Sequence, residues 1–112
     1  MTIEIEGFDL VATLRRFNQN EALMVKILKN FFDKYQDFDQ LLLEKLPRER
    51  AVEAHGFCGA AGNLGAMDLA NAAKALELAC LDDADGEAEL IAFQASFKVS
   101  MGNLQAYFDQ AD

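Results

Sequence analysis

A chain of 112 residues is long enough to bury a core without disulfide staples and too short for a two-domain enzyme, so a single domain over residues 1–112 with one site is expected. Hydrophobic residues make up 52% of it, with nine phenylalanines, which excludes disorder, and the apolar runs are too short and too interrupted by charge for a membrane span. A formal charge of −9 argues against nucleic acid or anionic lipid as a partner.

The opening residues carry no basic leader followed by an apolar stretch, so a soluble cytoplasmic protein is expected. Phe8 to Phe17 reads as a short helix with Leu10, Leu14 and Phe17 on one side, closed by Asn18-Gln19-Asn20. Asn18 or Asn20 is the expected N-cap of the next helix. Between Gly7 and Pro47 there is neither glycine nor proline. Met24, Leu28, Phe31, Tyr35, Phe38, Leu42 and Leu46 step by threes and fours there, which predicts one long amphipathic helix.

Pro47 suits the first turn of a third helix, and Arg48 to Asn63 then carries Ala54, Phe57, Ala61 and Leu64 on one apolar stripe. Gly65 fits a helix C-cap, and Leu69, Ala72, Ala73, Leu76 and Cys80 define the next helix. A turn is expected over Asp82-Asp83-Ala84-Asp85-Gly86, within an acidic run to Glu89 that reads as a solvated face. Leu90, Phe93, Phe97, Met101, Leu104 and Phe108 then mark a closing helix. The expected fold is all-α, an antiparallel up-and-down four-helix bundle with a short extra N-terminal helix.

Two cysteines and one histidine, without metal-ligand spacing, leave no ordinary His/Cys metal site. If Cys58 and Cys80 lie on antiparallel neighbours turning near Gly65, they are offset by roughly 12 Å of helix rise, too far for a disulfide. Cys58 reads as a small apolar filler rather than a redox thiol. The glycine run lacks the lysine-serine ending and preceding strand of a phosphate-binding loop, so nucleotide binding is not expected.

The only histidine, His55, is two residues from Phe57, about 200° round the helix, and so faces away from the apolar stripe. Glycines follow at positions 56, 59, 62 and 65. Three or more in one helical segment cost about 2–3 kcal/mol relative to alanine, so something must require the bare surface. Gly59 and Gly62 share the face of His55 and leave its imidazole beside uncovered backbone that another macromolecule can approach.

The run Ala54-His55-Gly56-Phe57-Cys58-Gly59-Ala60-Ala61-Gly62-Asn63-Leu64-Gly65-Ala66 resembles the motif of the histidine-containing phosphotransfer (HPt) domain, A-H-x-L-K-G-x-A-x-x-L-G-A, and the likeness extends over nearly the whole chain. In that family a four-helix bundle carries an exposed histidine that takes a phosphoryl group from an aspartyl phosphate on a receiver domain and passes it to another receiver. The resemblance implies that His55 is the phosphorylated residue. It also implies a phosphorelay carrier rather than an enzyme, without a cofactor of its own. Its partners would be response-regulator receiver domains or a hybrid sensor histidine kinase, which supply the metal and the acceptor aspartate. A monomer is expected.

Neutral imidazole is a good nucleophile near pH 7, and a phosphorylated ring nitrogen forms a bond reactive enough to be passed on. One ring nitrogen must keep its proton and be held so that the other attacks. Glu77 lies at the height of His55 if the helices turn near Gly65, and in the family a carboxylate or amide at this spacing commonly bonds the histidine. The chain departs from the motif at Cys58, where the family has a lysine that helps neutralise the phosphoryl group. Lys74, one turn before Glu77, is the candidate replacement. Gly56, Cys58, Gly59, Gly62 and Asn63, with Val52, are expected at the docking surface, and Arg48 and Arg50 at its charged rim. The rival functional reading is a docking adaptor of the same fold that binds a receiver or kinase domain without carrying phosphate. A purely structural bundle with a core histidine fits poorly, since His55 lies opposite the apolar stripe.

Overall fold

The computed structural model describes residues 3–81 and 84–111. The fold is all-α, as the periodicity predicts, and among the described residues it contains six helices and no strand, with a lone bridge between Ile5 and Phe8. Helix α1 spans Leu10–Arg16, α2 Glu21–Lys34, α3 Phe38–Leu43, α4 Pro47–Asn63, α5 Met67–Cys80 and α6 Glu87–Ala111. Asp85 and Gly86 of the expected acidic turn join α5 to α6, while Asp82 and Asp83 lie outside the described residues.

Local chemistry accounts for the helix starts. Asp9 caps α1, its Oδ1 accepting from the Ala12 amide at 3.1 Å, and Asn20 caps α2, its Oδ1 accepting from the Leu23 amide at 3.0 Å. Asn18 stands in the left-handed region (φ 54°), the conformation its short amide tolerates, and so belongs to the turn rather than the cap.

The single long helix expected before Pro47 is divided. Tyr35 (φ −106°, ψ 19°) and Asp37 (φ −112°, ψ 23°) leave the helical well, and the Phe38 amide donates to Tyr35 O at 3.2 Å, a tighter turn than an α-helix allows. The compensation is aromatic. Freed from the axis of α2, Phe38 stacks on Phe57 at 4.6 Å between centroids, and Tyr35 meets the same ring edge-on at 4.9 Å. Leu46, expected on the apolar face, is 69% exposed, because it precedes Pro47 and is held extended (φ −69°, ψ 158°) as the N-cap of α4.

Phe57, wholly buried, is the hub of the core, with Phe31, Phe93 and Phe97 at 5.5, 5.2 and 5.9 Å around it. Burying such a ring stabilises the fold by roughly 1.5–3 kcal/mol. The ring pairs also give the helix directions. Phe32 packs on Phe108 and Phe38 on Phe97, so α6 runs antiparallel to α2 and α3. Phe31 meets Phe57 while Leu42 O accepts from Arg50, so α4 does the same.

Arg50, expected at a charged rim, is half-buried and donates to three backbone carbonyls, Leu42 at 2.9 Å, Lys45 at 3.2 Å and Asp85 at 2.7 Å. It ties the end of α3 to the α5–α6 connection. Between α4 and α5 the chain reverses at Gly65, whose φ of 76° favours glycine. Its carbonyl accepts from the Asp9 amide at 2.9 Å, and a Cβ there would lie 2.5 Å from Asp9 O. Among the described residues no helix is long and apolar enough to cross a membrane.

Candidate functional site

Packing of Phe57 into the aromatic hub sets the rotation of α4, and His55, two residues earlier, is turned out with 73% of its side chain exposed. Ala54 and Ala61, both buried, lock the same orientation from either side. Because α4 and α5 reverse about Gly65 and Ala66, residues 55 and 77 fall at the same height along the hairpin. Glu77 Oε2 lies 2.9 Å from His55 Nδ1. The other carboxylate oxygen, Oε1, lies 3.5 Å from Lys74 Nζ, one turn earlier on α5.

A carboxylate only accepts hydrogen bonds, so the neutral ring that meets it carries its proton on Nδ1 and leaves the Nε2 lone pair open. Glu77 is only 12% exposed, against 73% for His55 and 53% for Lys74. The acceptor is thus sheltered and both its partners reach it from solvent.

The surface around His55 is bare. A Cβ added at Gly56, Gly59 or Gly62 would meet nothing within 4 Å. None of the three is therefore demanded by packing within the chain, and each retains its helical cost. Gly62 differs in one respect: its carbonyl accepts from Arg16 Nη2 at 3.2 Å, so α1 leans on this flank of α4. Asn63 is exposed and lines a groove between α1, α2 and α4 with Phe17, Ile27, Tyr35 and Ala60. Gly56 lines a second groove with Tyr35, Phe38 and Glu53. His55 lines neither groove and stands on the ridge beside them. An imidazole placed in this way meets a large convex partner more readily than a small substrate, which needs walls to hold it.

Cys58 is half-buried on the flank of α4 and Cys80 is buried at the end of α5, both as free thiols. Burial pushes the Cys80 thiol above its ordinary 9.0, against the opposing pull of the Arg50 guanidinium. Among the described residues no group of three or more His, Cys, Asp or Glu side chains is placed to hold a metal ion.

The structure thus brings His55, Glu77 and Lys74 into one connected cluster, with Gly56, Gly59, Gly62 and Val52 exposed or half-exposed around it on α4. Arg16 is the contributor that periodicity does not reveal, since its contact spans 46 residues of chain. Comparison with family models, with curated proteins and with solved structures gives no significant match.

Proposed function

We propose that this chain is a phosphorelay carrier of the HPt type, in which His55 takes a phosphoryl group from the aspartyl phosphate of one receiver domain and yields it to another. The observation that carries the reading is the His55–Glu77 pair: Nδ1 is bonded at 2.9 Å to a sheltered carboxylate while the rest of the ring stands in solvent beside three glycines at which a Cβ would meet nothing within 4 Å. In the step itself, the Nε2 lone pair forms the N–P bond as the P–O bond to the receiver's aspartate breaks, and that aspartate leaves as a carboxylate. The proton on Nδ1 stays, held by Glu77, and the positive charge that the ring gains when Nε2 bonds phosphorus lies against that carboxylate. Such transfer needs mainly positioning and charge neutralisation, and the partner contributes the metal.

The chain is therefore a carrier rather than an enzyme, working in the cytoplasm as a monomer with receiver domains or a hybrid sensor histidine kinase. Cys58, standing where the family has lysine, favours a second reading, a docking adaptor that binds a receiver without accepting phosphate.

Incubation with a receiver domain charged by acetyl phosphate in Mg²⁺ separates the two. An acid-labile, alkali-stable label on the wild type that vanishes in His55→Gln supports the carrier. Retained binding without label, across several receivers, overturns it in favour of the adaptor.

A further inference from the structure

Glu77 has two oxygens and both are engaged, Oε2 by His55 Nδ1 at 2.9 Å and Oε1 by Lys74 Nζ at 3.5 Å. We infer that Lys74 is a positioning residue that acts on His55 through Glu77, rather than a counter-ion placed directly against the phosphoryl group.

Glu77 sits on the partly covered face between α4 and α5, 12% exposed, where a nearby positive charge is felt more strongly than in open water. A neutral imidazole supplies a hydrogen bond but no charge. Lys74, three residues earlier on the same helix, supplies the charge, and it does so at the oxygen that His55 leaves unused. An ammonium 3.5 Å from one oxygen biases the last torsion of the carboxylate toward the orientation in which the second oxygen faces Nδ1.

The consequence reaches the nucleophile. With Oε2 so directed, the neutral ring keeps its hydrogen on Nδ1 and its lone pair on Nε2, the arrangement attack requires. After transfer, the ring carries an anionic phosphoryl group on Nε2 and a positive charge of its own, shared with the Nδ1–H that faces the carboxylate. The Lys74 ammonium then offsets the carboxylate rather than the phosphate. This assigns a task to Lys74, a cation that the structure joins to the pair, in a chain that has Cys58 in place of the motif's lysine.

The inference rests on the carrier reading only for its rate arm; its tautomer arm is independent of any partner. Nitrogen-15 NMR of His55 at about pH 8.5, some two units above the ordinary imidazole value, reads the tautomer of the neutral ring. In the wild type the Nδ1–H form is expected to predominate. In Lys74→Met the Nε2–H form rises clearly and His55 labelling slows about tenfold, the size of effect typical of such supporting contacts. Lys74→Arg restores both.

Three results overturn the inference. One is an unchanged tautomer balance in Lys74→Met. Another is a slowed labelling rate without any change in tautomer, which would place Lys74 against the phosphate itself. The third is failure of Lys74→Arg to restore the balance. If the tautomer shifts as expected while the wild type accepts no phosphate, the role of Lys74 stands and the carrier reading falls.

Discussion

Glu77 Oε2 and His55 Nδ1 meet at 2.9 Å across the α4–α5 hairpin, joining a side chain that is 12% exposed to one that is 73% exposed. The pair directs the ring without adding much to the fold. A contact with a partner so open to solvent contributes at most about 1 kcal/mol. Glu77→Ala is therefore expected to change unfolding free energy by less than about 1 kcal/mol while slowing phosphoryl acceptance about 10–100-fold. Urea unfolding set beside single-turnover labelling checks both. Equal labelling rates in the two proteins would remove Glu77 from the site.

The glycines divide by sign. At Gly56 and Gly59 a Cβ meets open space, so alanine is expected to stabilise the helix by about 0.5–1 kcal/mol at each position. At Gly65, with φ 76° and Asp9 O only 2.5 Å from a Cβ, alanine is expected to destabilise by at least about 1–2 kcal/mol. Melting curves of the three variants test the contrast. If Gly59→Ala also weakens receiver binding while raising the melting temperature, the bare surface serves the partner. A destabilised Gly59→Ala would return that glycine to the internal packing.

Much of this was legible in the chain. Ala54, Phe57, Ala61 and Leu64 repeat with helical period and are all buried, and counting outward from Gly65 places Glu77 opposite His55. The break at Tyr35–Asp37 was not legible, because Tyr35 and Phe38 keep a three-residue spacing whether the helix continues or turns. What decides the matter is Phe57, a partner nineteen residues beyond Phe38 in sequence. Leu46 misleads for a related reason: its spacing fits the stripe, but Pro47 holds it extended. Arg50 reaches Asp85 across 35 residues and Arg16 reaches Gly62 across 46, and spacing carries no trace of either contact.

The two thiols should behave differently. Cys80 is buried, its Sγ 3.6 Å from Asp85 O, and its thiol holds the proton to higher pH than an unfolded cysteine does. The folded value is raised, so the stability it contributes is fully present below the unfolded value near 9.0 and is lost as pH rises through the folded one. Unfolding free energy should therefore decline above about pH 9, less steeply in Cys80→Ala. An identical alkaline decline in both proteins would contradict the assignment. A thiol reagent at neutral pH should modify Cys58 before Cys80.

Phe57 links the core to the site. Phe57→Ala is expected to cost about 3–5 kcal/mol, the usual range for a buried ring, whereas His55→Gln stays within about 0.5 kcal/mol of the wild type. Denaturant titration measures both. A large loss of stability in His55→Gln would make the histidine structural and remove the reason for its exposure.

The most direct test of the account is the position of the phosphoryl group on the ring. Phosphorus-31 and nitrogen-15 NMR of the uniformly labelled protein, phosphorylated by a charged receiver domain, distinguishes the two ring nitrogens. Phosphorus bonded to Nε2, with the Nδ1 proton retained toward Glu77, is the predicted result. Phosphorus on Nδ1, or on any residue other than His55, would contradict it.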